Sequence, residues 1–191
     1  MESLLRNEKL YKWLEQVDRE LAQQAAAGGC WSCAGNLHRG DYKRKLRGGW
    51  EGIEGACAKR LSFCCALEGC RKRTTPPSVR FLGRKVYAGV VVVLISAIRH
   101  GISKKRLAVL REALGIDRRT LERWRVWWIE EFAEGSFWKA ERGRFSEPVK
   151  TATMPLELVE LFGAREPDGL VRLMKFLSPI TTGSCKGVIA L

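Results

Sequence analysis

The fold of this chain depends on the stretch between Cys30-Trp31-Ser32-Cys33 and Cys65-Ala66-Leu67-Glu68-Gly69-Cys70. The first cysteine pair presents two thiolates from one tight turn, and the gap in the second pair lies within the range that zinc knuckles use. The first residues carry acidic side chains and no continuous apolar core, so we expect no secretory signal, and paired cysteines then favour a metal over disulfides. The sequence therefore predicts one zinc ion with four ligands, Cys30, Cys33, Cys65 and Cys70.

Two residues are alternatives to Cys65 as the third ligand. Cys64 would lengthen the gap in the second knuckle and would face the other side of a strand, so Cys65 is favoured. His38 could replace it, because imidazole also binds zinc. Four thiolates leave no position open for water, so the site is expected to be structural, and free or buried thiols are the other interpretation. Cys57 and Cys185 have no predicted role.

The residues between the cysteine pairs are rich in glycine and basic residues and lack helical periodicity. Short strands are predicted from Leu37 to Arg44 and from Arg60 to Cys65, around a loop at 48–52. This pattern is typical of a small zinc ribbon. Beyond it, Thr74-Thr75-Pro76-Pro77-Ser78 is predicted to be extended, since proline fixes its own backbone and restricts the residue before it.

Helical periodicity dominates the rest of the chain. Residues 3–27 are expected to form an amphipathic helix. This helix packs on neighbouring parts of the chain or, alternatively, on a second copy of the chain. The apolar run from Val86 to Ile98 is too short to cross a bilayer and could be a strand, but its place ahead of two helices favours a buried helix. Ser103 is expected to cap a helix from Lys104 to Ala113. Asp117 is expected to cap a third helix with a buried stripe of Leu121, Trp124, Trp128 and Phe132.

These patterns predict a mainly α fold with a small β zinc ribbon. Short helices are expected from Pro155 to Phe162 and from Pro167 to Leu177, followed by a poorly structured tail from Pro179. Four divisions are predicted: an N-terminal amphipathic helix at 1–29, a zinc ribbon at 30–82, a trihelical helix-turn-helix at 83–134 and a C-terminal helical extension with a tail at 135–191.

The net charge of +13 is concentrated in two segments. Residues 36–85 carry a net charge of +9 and residues 99–125 carry +6, so the remainder is slightly acidic. A concentrated positive field favours phosphate binding through counterion release, although an inert basic surface is the alternative. The residues expected to contact nucleic acid lie in or beside the motifs and are Arg39, Lys43, Arg44, Lys45, Arg71, Lys72, Arg73, Arg118, Arg119, Thr120 and Arg123.

The segment Gly115-Ile116-Asp117-Arg118-Arg119-Thr120-Leu121-Glu122-Arg123-Trp124 is typical of the turn and recognition helix of a helix-turn-helix. The N-terminal residues of such a helix reach base edges in the major groove, where arginine pairs with guanine. Thr120 is expected to contact a phosphate or a thymine methyl. An arginine-rich solvated helix face is the alternative interpretation.

These motifs together resemble the zinc-ribbon and helix-turn-helix region of bacterial insertion-sequence transposases and related mobile-element proteins. The resemblance covers about residues 30–132 and implies that the ribbon arginines hold the DNA backbone while the third helix reads sequence. In that family a separate RNase-H-like domain performs strand transfer with three acidic residues. The residues after Phe132 lack the β-rich pattern and acidic spacing of that domain.

The chain is therefore expected to be a non-catalytic, cytoplasmic, nucleoid-associated DNA-binding protein of a mobile-element or regulatory system. Glycine-loop, HExxH and Gly-x-Ser-x-Gly motifs are missing, so we expect no enzyme and no small-molecule substrate. Duplex DNA is the expected partner. A second copy of the chain, or a recombinase or effector protein, is a further possible partner, and no binding to membranes is expected. The alternatives are an RNA-binding component of a ribonucleoprotein, with Trp31 or Trp50 stacking on bases, and a protein adaptor.

Overall fold

The chain divides into two compact units, each formed from two separate stretches. The knuckle unit comprises Asn7–Gly89 and Met174–Leu191, and the helical unit comprises Met1–Arg6 and Val90–Leu173. Each unit combines stretches that are distant along the chain, and the four consecutive segments expected from the sequence stay a prediction. The computed structural model describes residues 2–44, 55, 59–82, 87–98 and 104–182.

The strands of the knuckle unit are short and antiparallel. Their bounds are β1 Leu37–Arg39, β2 Tyr42–Lys43, β3 Lys59–Arg60, β4 Phe63–Cys65 and β5 Arg73–Thr74. Strands β1, β4 and β5 form one sheet in the order β1-β4-β5, and β2 pairs with β3. The two strands expected from the sequence are each divided in two, and β5 was not expected.

The register of the three-stranded sheet shows which of its side chains lie on the same face. His38 lies opposite Cys64, which lies opposite Arg73, so these three residues share one face. Since side chains alternate along a strand, Cys65 and Phe63 lie on the other face. This alternation separates the two adjacent cysteines, as the sequence suggested.

The N-terminal helix is broken at Asn7, which corrects the single helix expected over 3–27. Helix α1 spans Glu2–Leu5 and helix α2 spans Glu8–Ala27. Asn7 adopts an extended conformation, and its Oδ1 accepts a hydrogen bond from the Leu10 N–H at 3.1 Å, so it caps α2. The expected apolar stripe is buried and consists of Leu4, Leu5, Tyr11, Leu14, Val17 and Leu21.

A buried ion pair ties α2 to the segment that follows β5. Asp18 Oδ2 accepts hydrogen bonds from Ser78 Oγ at 2.6 Å and from Arg80 Nε at 2.8 Å. Asp18 Oδ1 accepts from the Val79 N–H at 2.6 Å. The carboxylate therefore organises a segment that the sequence predicted only to be extended.

The chain after Leu177 is more ordered than expected. Residues Ser178–Thr181 form a 3₁₀ helix, and Thr181 Oγ1 accepts a hydrogen bond from the Ser78 N–H at 2.8 Å. The prediction of a poorly structured tail is therefore wrong up to Thr182. The remaining nine residues of that tail lie outside the described part of the chain.

Helices and a small antiparallel sheet make the fold mainly α, as predicted. The remaining helical bounds are α3 Gly89–Ser96, α4 Lys104–Leu114, α5 Arg118–Val126, a π-helical turn Trp127–Phe132, α6 Ser136–Glu141, a 3₁₀ turn Arg142–Arg144, a 3₁₀ turn Thr151–Thr153, α7 Leu156–Leu161 and α8 Pro167–Leu177. Helix α3 confirms the helical interpretation of the apolar run over 89–96, whereas α6 was not expected. Ser103, the expected cap of α4, lies outside the described residues.

Aromatic side chains form the centre of the helical unit. The rings of Trp128 and Phe132 lie 4.9 Å apart edge to face, and Phe132 lies 5.6 Å from Trp138. Trp138 in turn stacks on Phe145 at 5.8 Å. The stripe predicted for the third helix is confirmed as core, because all four of its members are buried: Leu121, Trp124, Trp128 and Phe132.

Candidate metal centre and nucleic-acid interface

Four cysteine thiols of the knuckle unit lie together. Cys30 and Cys33 lie on the turn after α2, Cys65 ends β4, and Cys70 lies on the turn before β5. Their sulfur atoms all lie within 4.8 Å of one another. The Sγ atoms of Cys33 and Cys65 are 3.5 Å apart, and those of Cys30 and Cys70 are 3.8 Å apart. The set is the one predicted from the sequence.

The sulfur distances fit ligands of one shared ion. Two thiolates on a tetrahedral ion with metal–sulfur bonds of about 2.3 Å lie roughly 3.8 Å apart. Sulfurs of a disulfide lie only about 2.05 Å apart. The four thiols could therefore hold one metal ion with a complete tetrahedral shell.

The two alternative ligands lie elsewhere on the sheet. Cys64 is on the opposite face of β4 from Cys65, and its Sγ donates a hydrogen bond to the Arg71 carbonyl oxygen at 3.3 Å. His38 is exposed and pairs with Cys64 across the sheet. Neither joins the sulfur cluster. Cys57 and Cys185 lie outside the described residues.

Each cysteine turn contains a left-handed residue directly after its second cysteine. Ala34 has φ +59° and Arg71 has φ +45°, a region that glycine adopts more readily. Beside them, a Cβ atom on Gly35 would lie 3.3 Å from the Cys33 sulfur and 3.5 Å from the Cys65 sulfur. Because neither residue is glycine, no sequence pattern indicated these two left-handed positions.

Backbone amides and burial set opposite pKa shifts in the cluster. The Ser32 backbone N–H lowers the pKa of Cys30 to about 7. The Leu67 backbone N–H, 3.4 Å from the Cys65 sulfur, lowers the pKa of Cys65, but burial and the three neighbouring thiols together raise it to about 12. Four thiolates at these distances repel one another, so a bound cation favours their joint ionisation.

Two hydrogen bonds join the two cysteine turns. The Trp31 indole N–H donates to the Arg73 carbonyl oxygen at 3.1 Å, and Lys72 Nζ donates to Ser32 Oγ at 2.9 Å. The Lys72 ammonium also lies 5.1 Å from the centre of the Trp31 ring. Arg73 Nη1 donates to the Gly40 carbonyl oxygen at 2.7 Å. The Lys72 side chain and the Arg73 backbone therefore connect the two turns, a role that sequence reasoning missed.

Most basic residues expected at the interface in the knuckle unit are accessible. Arg44 is half-buried, and its guanidinium lies 5.0 Å from the centre of the Phe81 ring. Lys45 lies outside the described residues, as do Trp50 and the loop expected at 48–52. The exposed members are Arg39, Lys43, Arg71, Lys72 and Arg73.

In the helical unit, a tight turn joins α4 to α5. Gly115 has φ +61°, and the Ile116 N–H donates to the Leu110 carbonyl oxygen at 3.3 Å, which ends α4. Asp117 then caps α5, because its Oδ1 accepts from the Thr120 N–H at 2.6 Å. The Arg125 guanidinium donates to the Ile98 carbonyl oxygen at 2.9 Å, beyond the end of α3.

The arginines of α5 have different surroundings. Arg118 forms an exposed ion pair with Glu122 at 2.8 Å, and Arg119 is exposed. Arg123 is also exposed, and it donates to Thr120 Oγ1 at 3.1 Å. Thr120 itself is only 5% exposed, which contradicts the expected contact with a phosphate or a thymine methyl. Its side chain packs inside the helical unit and accepts from Arg123 instead.

The described part of the chain holds this single cluster of His, Cys, Asp or Glu side chains that could take a metal ion. In the same residues, no helix has both the length and the apolar character needed to cross a membrane. Comparisons of the chain with protein-family models, with curated proteins and with solved structures found no match.

Proposed function

We propose that this chain is a zinc-stabilised protein that binds duplex DNA and has no catalytic activity of its own. Zinc is the ion that four thiolates in tetrahedral array suit best, and a closed shell of four protein ligands is typical of structural sites. Such a site stabilises the fold around it and leaves no position for an activated water. The protein would thus belong to a mobile-element or regulatory system in which another component supplies any chemistry.

One observation carries the proposal: three basic residues of the knuckle unit directly follow a cysteine of the sulfur cluster. Arg71, Lys72 and Arg73 follow Cys70, and the hydrogen bond from Lys72 to Ser32 connects them to the other cysteine turn. A bound ion would therefore hold these cations in a fixed array. Fixed cations bind a phosphate backbone with less loss of side-chain entropy than mobile ones.

The pair of helices α4 and α5 supports a role in sequence reading. A glycine turn joins them and Asp117 caps α5, whose last turn carries the exposed Arg123 and whose N-terminal end carries the exposed Arg119. This is the part of a recognition helix that meets base edges in the major groove. We therefore assign sequence preference to α5 and general affinity to the knuckle unit.

Exposed aromatic groups favour RNA as a second candidate. Tyr42 is 39% exposed and lies 5.5 Å from the Arg73 guanidinium, and the half-buried Trp31 lies beside Lys72. Aromatic rings next to cations stack on unpaired bases. Direct competition between duplex DNA and structured RNA distinguishes these partners.

The first experiment measures bound zinc and nucleic-acid affinity on the same protein sample. Fluorescence anisotropy with random duplex DNA and with structured RNA, each at two salt concentrations, reports the partner and the number of phosphate contacts. We expect one zinc per chain and a steep salt dependence with a preference for duplex. Weak binding that does not depend on salt would contradict the proposal and favour a protein adaptor.

Variants separate the two assigned roles. Arg119→Ala with Arg123→Ala should reduce preference among DNA sequences. Arg39→Ala with Lys43→Ala should weaken binding to all sequences and reduce the salt slope by about one per lost phosphate contact. Lys72 and Arg73 are unsuitable for this test, because the Lys72 side chain also joins the cysteine turns and the Arg73 side chain also holds the Gly40 carbonyl oxygen.

A further inference from the structure

A cleft lies between α2 and the strands of the knuckle unit. It has a volume of about 250 Å³. Ala22 and Ala26 line it from the helix, and Leu61 and Phe63 line it from the strand side. The two alanines have small side chains and Phe63 is half-buried, so the cleft offers apolar walls to a flat ligand.

Two arginines lie at the same cleft. The side chains of Arg19 and Arg39 are 59% and 71% exposed. Arg39 Nε donates to Asp41 Oδ2 at 2.7 Å, which orients the guanidinium while leaving most of the side chain accessible. Arg19 is held in the same way by Glu15 at 2.8 Å. Oriented, accessible guanidinium groups suit phosphates that flank a bound base.

Polar groups inside the cleft offer selective hydrogen bonds. Asp41 is fixed on two sides, because its Oδ1 accepts from the Ser62 N–H at 3.1 Å while its Oδ2 accepts from Arg39. A carboxylate can accept from the amino group of a base, and the amide of Gln23 can both donate and accept. Apolar walls with a few polar groups are typical of a pocket that reads one base.

We infer that this cleft binds one unpaired nucleobase of the nucleic acid, an assignment that rests on the proposed function. The base stacks against Phe63, Asp41 and Gln23 read its edge, and Arg19 and Arg39 contact the adjoining phosphates. A volume below the roughly 300–1,000 Å³ of drug-sized sites suits a single base. A paired base is held inside the duplex, so the ligand must be unpaired, as at a bulge or a strand end.

The test uses the full chain loaded with zinc and three labelled duplexes of one sequence. The first is fully paired, the second carries one bulged nucleotide, and the third carries an abasic nucleotide at the bulge. Fluorescence anisotropy gives the three dissociation constants. We expect roughly ten-fold tighter binding to the bulged duplex than to the other two, in line with the energy of stacking one base. The abasic duplex separates recognition of the base from recognition of a flexible backbone.

A variant that fills the cleft adds a second readout. Ala26→Leu should remove the preference for the bulged duplex while leaving affinity for the paired duplex unchanged. Ala27→Leu, the same substitution at the next, exposed residue of α2, should retain the preference. Zinc content and thermal unfolding of both variants verify that the fold is intact.

The outcomes distinguish this inference from the function on which it rests. Failure to bind any of the three duplexes at low salt would overturn both. Equal affinity for paired and bulged duplexes, a preference that survives in the abasic duplex, or a preference that survives in Ala26→Leu would overturn the cleft assignment alone.

Discussion

Arg80 Nε lies 2.8 Å from Asp18 Oδ2, and the two side chains are 2% and 0% exposed. The two residues are distant along the chain, and their ion pair connects α2 to the segment after β5. Asp18 also accepts two further hydrogen bonds, from Ser78 Oγ and the Val79 N–H, so removal of its carboxylate leaves several buried donors unpaired.

Asp18→Ala should therefore destabilise the protein by about 3–5 kcal/mol, the usual cost of leaving one member of a buried ion pair alone. Glu20→Ala, at an exposed position of the same helix, should change the free energy of unfolding by only about 0.5 kcal/mol. Urea denaturation of both variants measures the difference. Similar midpoints for the two variants would contradict the anchoring role of Asp18.

Cys65→Ser should abolish stoichiometric zinc binding, because it removes one of four thiolates. Cys64→Ser should retain one zinc per chain, since the Cys64 sulfur donates to the Arg71 carbonyl oxygen on the other face of β4. Elemental analysis of the two purified variants gives the metal content. Loss of zinc from Cys64→Ser with retention in Cys65→Ser would reverse the ligand assignment.

Gly35→Val should lower zinc affinity by roughly ten-fold or more, in the range of other changes around metal ligands. A Cβ atom there would lie 3.3 Å from the Cys33 sulfur, and the branched side chain needs still more space. Gly143→Ala is the control, because a Cβ atom at Gly143 meets nothing within 4 Å. Competition with a chromogenic chelator measures both affinities, and equal values would refute the steric argument.

Ala34→Gly should stabilise the knuckle unit by about 1 kcal/mol, because Ala34 has φ +59° and glycine adopts that region without strain. The greater freedom of glycine in the unfolded chain reduces the gain. Ala22→Gly, in the interior of α2, should destabilise instead by about 1 kcal/mol. Thermal unfolding of the zinc-loaded variants should shift in opposite directions, and a shift in the same direction would contradict the assignment of strain to Ala34.

The cap of α5 should weaken in acid. The Thr120 N–H, which donates to Asp117, lowers the pKa of the Asp117 carboxyl below its ordinary value. A lowered folded-state pKa means that the stabilisation is present above the ordinary pKa and is lost as the pH falls through the folded pKa. Asp117→Asn should keep a cap without this pH dependence. The Thr120 amide resonance during an acid titration provides the measurement, and an identical response in both proteins would exclude Asp117 as its source.

The ligand set and most helices could be predicted because they depend on short-range patterns. Cys30 and Cys33 define one turn, and the face of a strand distinguishes Cys65 from Cys64. Asp117 was recognised as a cap because capping involves residues only three positions apart. The break at Asn7 was missed, because the apolar stripe continues across it and conceals the change of helix.

Other features depend on residues that are far apart in the chain. Thr120 has a polar side chain, and its burial follows from the packing of the helical unit. Thr181 contacts Ser78 across 103 positions, and no local pattern reports such a contact. The extra hydrogen bonds of Lys72 and Arg73 likewise depend on how the two cysteine turns meet.

The sequence alone determined the set of four clustered thiols, the buried helical stripes and the two basic segments, because residue type and spacing control cysteine pairing in turns, amphipathicity and charge. Only the tertiary structure decided which basic residues remain accessible, that Asp18 forms an ion pair with Arg80, and that a cleft lies between α2 and Phe63. These features arise when distant segments pack, since burial and cavity shape are properties of the assembled fold rather than of any local stretch.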